Sequence, residues 1–431
     1  MADSDSGDRA AARGNRHALT TLRHRNFRLI WSGQVISMTG SQIQAIANAL
    51  QIYHLTGSTL QVGLVGFFSF LPGLVFSFIG GAVADQFDRK RVLFVTQSAT
   101  MSTVLVLVAA TAGGFITPTI IYAVAFVSGA TRAFDGPSRQ ALIPTLVPAA
   151  ELAGALTLNT MARQLAAIVG PSIGGLVISL VGFSAAYAIN AATFLVVLLA
   201  LVLMDPLPAV HRTASRGLEL ALGGLKFARN EPVVLSLLGL DFLTMVIGST
   251  RALIPAFADD ILHVGVEGAG LLYSAPAAGA VTGALVLGAF GSSWRHAAIV
   301  LGVTAGYGVF TVGFGLSTWY PLALIMLFAT GFVDVIGEVM RATIVQLRTP
   351  DQLRGRVTSL SSMFTGGGPQ LGQVQSGALA SAFGPAAAAV VGGIGVVVIT
   401  AAFSLNKNIW RTRTVPARAT EPVETQPEPV S

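Results

Sequence analysis

The sequence predicts an all-α membrane protein with twelve transmembrane helices, and three observations support this prediction. Hydrophobic residues make up 53% of the 431 residues and charged residues only 11%, with a mean hydropathy of +0.70. Such a chain cannot form a water-soluble surface, so lipid must be its solvent. Apolar stretches of about 20 residues, the length that crosses a bilayer, recur along the chain. The gaps between them alternate between basic gaps and gaps without Lys or Arg, as in polytopic membrane proteins.

The apolar stretches are expected to form two bundles of six helices, at residues 27–204 and 233–405. The helices of the first bundle lie near 27–53, 60–84, 92–111, 118–146, 151–179 and 184–204. Those of the second lie near 233–257, 267–290, 297–315, 321–346, 355–381 and 386–405. Residues 205–232 break the apolar rhythm with prolines and basic residues, which predicts a cytoplasmic linker.

The distribution of basic residues predicts the orientation in the membrane. Lys and Arg are missing from the gaps at 54–60, 112–118, 180–184, 258–267, 316–322 and 382–386. They lie instead in alternate gaps and in the tails at 1–26 and 406–431. We therefore expect a multi-pass protein of the inner membrane with both termini in the cytoplasm. The first tail has no apolar core of a cleaved signal peptide, and the Pro- and Glu-rich last tail is expected to be disordered.

Missing residues and motifs argue against several classes of function. The chain has no Cys, and its six His residues lie in the tails or near helix ends, so neither disulfides nor a metal site is expected. No phosphate-binding Gly-rich loop or nucleophile elbow is present, so we expect neither an enzyme nor a cofactor. The net charge of +6 is sorted by membrane side and does not indicate nucleic-acid binding. These observations favour a carrier, expected to act as a monomer, that moves a small molecule through the lipid bilayer.

The two bundles are related by a weak internal repeat. A shift of 207 residues superposes Gly63 on Gly270, and a shift of 202 superposes Arg139 on Arg341. Two parallel repeats of this kind usually place a substrate cavity at their interface near the bilayer midplane. The sequence therefore predicts a central cavity between the bundles.

A polar stripe on predicted helix 1 has a counterpart on predicted helix 7. Spacings of three and four residues place on one face of helix 1 the side chains of Gln34, Ser37, Ser41, Gln44 and Asn48. The shift of 207 residues maps them to Asp241, Thr244, Gly248, Arg251 and Pro255. Polar stripes in lipid are costly unless they face protein or water. They either pack helices together through hydrogen bonds or line the water-filled cavity, and the length of the stripes favours the cavity.

Ionisable residues inside the predicted helices are further candidates for function. They are Arg132, Asp135, Arg139, Arg163, Asp241, Arg251, Asp334, Glu338 and Arg341. Each is costly in lipid, so it serves either in an ion pair between helices or as a protonation site. We favour ion pairing for Arg139 and Arg341. Asp241 has no basic neighbour within one turn of its helix and is the first candidate for proton coupling, followed by Asp135, Asp334 and Glu338. We expect Arg132 and Arg163, with Arg251, to line the substrate cavity.

The corner between predicted helices 2 and 3 resembles the cytoplasmic loop signature of the major facilitator superfamily. It reads Gly81-Ala-Val-Ala-Asp85-Gln-Phe-Asp88-Arg89-Lys90-Arg91. Gln86 replaces the first Arg of the signature and Asp88 replaces its Gly. The resemblance implies the major facilitator fold, with the residues of this corner controlling a cytoplasmic gate. In the family the carboxylate at the position of Asp85 lies at the N-terminus of helix 11, where the helix dipole favours it.

Predicted helix 5 carries a second resemblance to the same superfamily. The stretch Gly170-Pro171-Ser-Ile-Gly174-Gly175 resembles the core of the motif associated with its exporters. Gly and Pro at these positions permit a bend and close approach between helices. The same residues are equally compatible with a role in helix packing alone. Export is therefore implied by the resemblance.

Three further stretches resemble the transmembrane secretion effector and enterobactin exporter-like family, which includes macrolide efflux proteins. They are residues 25–34, 134–144 and 350–357, and the resemblance spans roughly 20–405. It implies a secondary transporter that rocks two bundles about a midplane site. The expected activity is export of a small amphiphilic drug, macrolide or siderophore in exchange for protons.

Two kinds of alternative remain open at the level of the sequence. An uptake carrier or a lysophospholipid flippase shares the fold and differs in the direction or the substrate of transport. A non-transporting receptor or scaffold would use the polar stripes for packing only.

Overall fold

The structure is a computed structural model that describes residues 20–205, 229–290 and 297–405. Its helices, labelled α1 to α12, are Arg25–Thr56, Thr59–Gln86, Arg89–Ala112, Pro118–Leu146, Leu152–Val181, Phe183–Leu203, Pro232–Ile247, Gly265–Phe290, Ala297–Gly315, Tyr320–Arg348, Arg354–Phe383 and Pro385–Ser404. They confirm the predicted fold class. Most of the predicted linker at 205–232, most of the tail at 1–26 and all of the tail at 406–431 lie outside the described residues.

Helix α7 is the element that departs from the prediction. The expected helix at 233–257 ends at Ile247, and the chain continues through a 3₁₀ turn at Arg251–Leu253 and a π-helical turn at Phe257–Ile261. The break lies at Gly248, whose carbonyl accepts a hydrogen bond from the Tyr307 hydroxyl at 3.2 Å. A side chain at Gly248 would meet the Tyr307 ring. The prediction of one continuous polar face from Asp241 to Arg251 and Pro255 is therefore wrong, because no single helix carries it.

Nine helical segments in the described part of the chain are long and apolar enough to cross a membrane. The helices that miss this criterion are α1, α4 and α11. Helix α1 contains the polar stripe and α4 contains three ionisable residues, while α11 is rich in Gly, Ser and Gln. These helices pack against several neighbours, which lets them carry polar groups away from lipid.

The two sets of six helices pack in the same way. In the first repeat, α1 packs on α5 and α6, α2 on α4, and α3 on α4 and α6. In the second, α7 packs on α11 and α12, α8 on α10, and α9 on α10 and α12. The main contacts between the repeats are α2 with α11 and α5 with α8. The tight turns after α5 and α11 place Gly182 and Gly384 at φ of 89° and 87°, a region that favours glycine.

Among the described residues, the buried apolar side chains of the two repeats form a shared core on one side of the molecule. We call the side where α1 begins and α12 ends the terminal side, and the other the distal side. One continuous core at the distal side contains residues of both repeats, such as Ile46 and Phe257. Toward the terminal side there are two separate cores, one around Leu142 in the first repeat and one around Leu237 in the second. The repeats are therefore closed together at the distal side and apart at the terminal side.

Substitution of Gly331 in α10 by valine is expected to destabilise the second repeat. A Cβ atom there would lie 1.8 Å from the backbone oxygen of Pro276 in α8, so the helices would have to separate. Overpacking of this kind costs on the order of 1–3 kcal/mol. Thermal unfolding in detergent measures the loss, with Gly302→Val in α9 as control, because nothing lies within 4 Å of a Cβ atom at Gly302. Equal midpoints for the two variants would contradict the prediction.

Candidate functional site

Hydrogen bonds between the repeats close the distal side. The Tyr53 hydroxyl at the end of α1 donates to Asp260 in the π-helical turn. The Thr59 hydroxyl of α2 donates to the backbone oxygen of Gly377 in α11 at 3.0 Å. Ser172 of α5 and Ser274 of α8 bond at 2.8 Å, and Ser179 donates to Glu267 about two turns further along α5. The last three of these bonds join the same helix pairs that make the main contacts between the repeats.

The glycines of the helix 5 motif serve two different interfaces. Gly170 and Gly174 face α1, where added Cβ atoms would lie 2.5 Å and 2.7 Å from the side chains of Gln42 and Ile46. Gly175 faces the other repeat, where a Cβ atom would lie 2.7 Å from the backbone oxygen of Val266 in α8. The backbone oxygen of Pro171 also approaches Gly270. The motif therefore lets α5 pack tightly on α1 and, at the same time, on the opposite repeat.

A cavity of about 400 Å³ opens at the terminal side between α10 and α11, and all of its lining residues belong to the second repeat, whereas the sequence predicted a cavity lined by both bundles. Its lining combines apolar residues such as Val345 and Val357 with the hydroxyl and amide groups of Gln346, Thr349, Thr358, Ser361, Ser362 and Thr365. Glu338 of α10 also lines it. The space therefore reaches from the terminal side toward the ionisable residues of α10.

Carboxylates surround one buried guanidinium group beside this cavity. Arg341 of α10 lies 2.5 Å from the Asp241 carboxylate of α7 and 3.8 Å from the Asp334 carboxylate of its own helix. The side chain of Asp334 is 33% exposed and that of Asp241 14%. We call Asp241, Asp334, Glu338 and Arg341 the acidic cluster.

The acidic cluster corrects one prediction and agrees with another. Asp241 was expected to be a carboxylate without a cationic partner, but Arg341 reaches it from another helix. Periodicity within α7 could not reveal that partner, because it comes from α10. The interpretation of Arg341 as a group that joins helices agrees with the same contact.

On α4, Asp135 and Arg139 form a pair within one helix. Both Nε and Nη2 of Arg139 donate to the Asp135 carboxylate, at 3.0 Å and 3.2 Å. The same carboxylate accepts from the Gln97 amide of α3 at 2.6 Å. Arg139 was expected to join two helices, but its described partner lies in α4 itself. Asp135 makes the connection to α3, through Gln97.

The remaining predicted cations are exposed within the membrane-spanning helices. Arg132 donates to the Ser69 hydroxyl of α2 at 3.1 Å, and Arg163 donates to Thr160 of its own helix α5. Arg251 lies over the ring of Tyr273 in α8, with its guanidinium carbon 5.5 Å from the ring centre. The Tyr273 hydroxyl donates to the backbone oxygen of Arg251 and fixes the turn that carries it.

The polar stripe of α1 is largely buried in this conformation. Gln34, Ser37, Gln44 and Asn48 are buried and Ser41 is exposed. Gln44 accepts a hydrogen bond from the Asn190 amide of α6. On α7, Thr244 is buried as well. At Gln44 the stripe therefore packs helices together, as the first of the two interpretations requires.

Sequence reasoning missed several polar residues at the distal side. Gln51 of α1 accepts from the Tyr187 hydroxyl of α6 at 2.7 Å, deep in the distal core. Tyr53 and Asp260, which bond between the repeats, are equivalent under the shift of 207 residues. Equivalent residues of two repeats can contact each other only near the pseudo-symmetry axis that relates the repeats. That equivalence was a usable signal for the distal contact.

The corner between α2 and α3 makes its described contacts within the first repeat. The Asp88 side chain accepts from the backbone N–H of Arg91 and caps α3. Arg89 donates to the backbone oxygen of Ala141 at 2.7 Å, and Lys90 to that of Met204 at 2.8 Å. The surroundings of Gly81 and the side chain of Asp85 lie outside the described part. The contacts of Arg89 and Lys90 tie the start of α3 to the ends of α4 and α6.

Comparisons with known proteins agree with this architecture. The sequence profile of the transmembrane secretion effector family matches residues 16–430. The enterobactin exporter EntS of Citrobacter koseri is 29% identical over 392 residues, which cover 87% of this chain and 90% of the relative. The enterobactin exporter EntS of Shigella boydii serotype 18 has the same identity and coverage.

Solved transporter structures share the fold at low sequence identity. The nucleoside transporter NupG superposes with a TM-score of 0.71 at 13% identity, covering 88% of this chain and 98% of that one. A bacterial homolog to the human lysosomal transporter Spinster, in an inward-facing and occupied conformation, gives 0.70 at 14%, covering 91% and 99%. This chain is therefore a multi-pass membrane protein that belongs to the transmembrane secretion effector family of major facilitator transporters, which are not enzymes.

Proposed function

We propose that this protein is a proton-coupled exporter that moves a small amphiphilic molecule outward by alternating access. The main observation in support is a cavity that opens at the terminal side, with an acidic cluster beside it and a closed distal side. Relatives named enterobactin exporters support outward transport and a siderophore-like substrate. A drug or macrolide is the other substrate class, to be separated by experiment.

The orientation follows from the basic residues. Lys and Arg concentrate at the terminal side, which we place in the cytoplasm of the inner membrane. In that orientation the described conformation receives substrate from the cytoplasm. The repeats then rock, so that the distal contacts open and the terminal side closes. One chain contains the whole cavity, and we propose that it acts as a monomer.

The proton site is proposed at Asp334 and Glu338 rather than at Asp241. Arg341 compensates the charge of Asp241 at 2.5 Å, but it lies 3.8 Å from Asp334. Glu338 is exposed to the cavity, where protons and water reach it. One guanidinium cannot compensate three carboxylates, so the cluster keeps a net negative charge that a proton can neutralise. Asp135, which is bonded to both Arg139 and Gln97, is a weaker candidate.

Substitution of Asp334 by asparagine tests the coupling. Cells that express the wild type should accumulate less of at least one compound among dyes, macrolides and a catecholate siderophore, and a protonophore should abolish the difference. Asp334→Asn should raise accumulation to the level of cells without the protein, because the cluster loses a titratable group. Asp351→Asn, on the turn before α11, is the matched control and should behave as the wild type.

The other outcomes of this experiment favour the alternatives. Higher accumulation in expressing cells would indicate an uptake carrier. No difference for any compound would favour a lipid flippase or a non-transporting protein. Full export by Asp334→Asn that still depends on the proton gradient would contradict the proposed proton site.

A further inference from the structure

Three guanidinium groups in the described membrane-spanning part form no direct ion pair. Arg132, Arg163 and Arg251 are exposed, and among the described residues none of them lies within ion-pair distance of Asp or Glu. Arg139 and Arg341, by contrast, are both paired. An uncompensated cation in a transmembrane helix is costly and normally marks a substrate or ion pathway.

Arg163 points away from lipid. The apolar side chains Leu165, Val169 and Leu176 of α5 are exposed and share one face, which identifies the side toward lipid. Arg163 lies on the opposite face with the exposed residue Thr160, to which it donates a hydrogen bond of 3.1 Å. Arg163 lies on the terminal side of Gly175, the glycine of α5 that contacts α8. On that side the two repeats are apart. Arg163 is therefore exposed to the space between the repeats.

Arg132 of α4, like Arg163 of α5, lies on the face opposite the exposed apolar side chains of its helix. Phe126 and Val127 are exposed on the lipid side of this helix, and Arg132 lies on the other side. It donates to Ser69 of α2, a helix that packs against the second repeat. Ser69 carries no charge, and the nearby Asp135 of α4 is shared with Arg139, so the charge of Arg132 is only partly compensated.

Arg251 contributes a cation from the second repeat. The break after α7 places it in a 3₁₀ turn that contacts α2 and α11, the two helices that join the repeats. Its position over the Tyr273 ring holds the guanidinium without neutralising it. Both repeats therefore present guanidinium groups toward the space between them.

We propose that the substrate is an organic anion whose carboxylate or catecholate groups are bound by Arg132, Arg163 and Arg251. Guanidinium groups bind planar anionic oxygens through two parallel hydrogen bonds, and they are more weakly hydrated than ammonium groups. A cationic macrolide or dye would be repelled by these three groups. The acidic cluster would not attract it strongly, because Arg341 compensates part of the cluster. This inference rests on the proposed function, and it narrows the range of exported substrates to organic anions.

Binding to the purified protein in lipid nanodiscs tests the proposal without a proton gradient. The probes are three dyes of similar size: carboxyfluorescein, its methyl ester and the cation rhodamine 123. Fluorescence anisotropy should show carboxyfluorescein binding tightest and rhodamine 123 weakest. Arg163→Gln and Arg132→Gln should each weaken carboxyfluorescein binding by about tenfold, the usual effect of losing one charged hydrogen-bonding partner. Arg163→Lys should recover part of the loss, because it restores the charge without the planar fork.

Arg356→Gln is the matched control, because it removes the same charge from the exposed start of α11, away from the three arginines. Its affinity for carboxyfluorescein should equal that of the wild type, and unchanged thermal unfolding of all variants confirms that they fold. The proposal is overturned if rhodamine 123 binds as tightly as carboxyfluorescein, if the arginine variants bind normally, or if carboxyfluorescein does not bind. Anion binding without export in cells would contradict the proposed function alone, and export of cations alone would contradict only this inference.

Discussion

Substitution of Arg341 by methionine is expected to abolish transport and to cause the largest loss of stability of any single change in the acidic cluster. The side chain is 8% exposed and connects α10 to α7 through Asp241. Its removal leaves Asp241 and Asp334 close together inside the protein without a cation. Breaking a buried ion pair by removing one partner costs about 3–5 kcal/mol. The guanidinium also fills the space above Gly337, so methionine would pack there poorly.

Arg348→Met is a matched control for this prediction. Arg348 belongs to the same helix and pairs with Glu231 at the start of α7, at 3.4 Å, but both side chains are about a third exposed. An exposed pair contributes about 0–1 kcal/mol, so this variant should unfold near the wild-type temperature. Thermal unfolding in detergent and export in cells are the measurements. Similar unfolding of the two variants would contradict the burial argument.

A double substitution separates the charge from the shape of Arg341. Asp241→Asn combined with Arg341→Gln removes both members of the closest pair and leaves groups that can still hydrogen-bond. This variant should be more stable than Arg341→Met, because it leaves fewer uncompensated carboxylates. Its transport should remain low, since Arg341 also faces Asp334. If the double variant is as unstable as Arg341→Met, packing rather than charge holds α10 on α7.

The acidic cluster illustrates what the sequence could and could not predict. Hydropathy and the distribution of basic residues report the local environment of each helix, and they predicted the existence and order of the twelve helices, with the break in α7 as the exception. A charge partner on another helix depends on tertiary packing, which one sequence does not reveal. Asp241 therefore looked isolated, although Arg341 lies 2.5 Å away.

The break in α7 was hidden for a related reason. At the break, the Tyr307 hydroxyl of α9 donates a hydrogen bond to the Gly248 carbonyl, a contact that depends on tertiary packing. Within the segment itself the residues read as one apolar helix, and Gly248 alone is weak evidence of a stop. The internal repeat was the stronger signal, because it related Gly63 to Gly270 and Tyr53 to Asp260. Gly63 and Gly270 both lie at contacts between the repeats, and Tyr53 bonds to Asp260 there.

Substitution of Gly175 by valine is expected to keep the distal side from closing and thereby to stop transport. A Cβ atom at this position would lie 2.7 Å from the backbone oxygen of Val266 and 3.1 Å from Cα of Gly270. Both atoms belong to the backbone of α8, so no side-chain rotation relieves the clash. The contact exists only while α5 and α8 are together at the distal side. The variant can therefore still fold, with the distal side open and the terminal side closed.

Site-specific labelling measures this shift, because the chain has no cysteine of its own. Ser274→Cys places a thiol on α8 at a position that is buried beneath the distal contacts. Thr358→Cys places one on the wall of the cavity at the terminal side. A membrane-impermeant maleimide added from the distal side should label residue 274 faster when Gly175→Val is present. The same reagent added from the terminal side should label residue 358 more slowly.

Gly302→Val serves as the control, since it adds the same side chain at a position where a Cβ atom meets nothing within 4 Å. It should change neither labelling rate. If Gly175→Val leaves both rates unchanged while the protein remains folded, α5 and α8 do not control closure of the distal side. If it labels faster at both positions, the substitution has loosened the whole interface. Opposite changes at the two positions would show that one steric contact, at the last glycine of the helix 5 motif, shifts the balance between two states of the transporter.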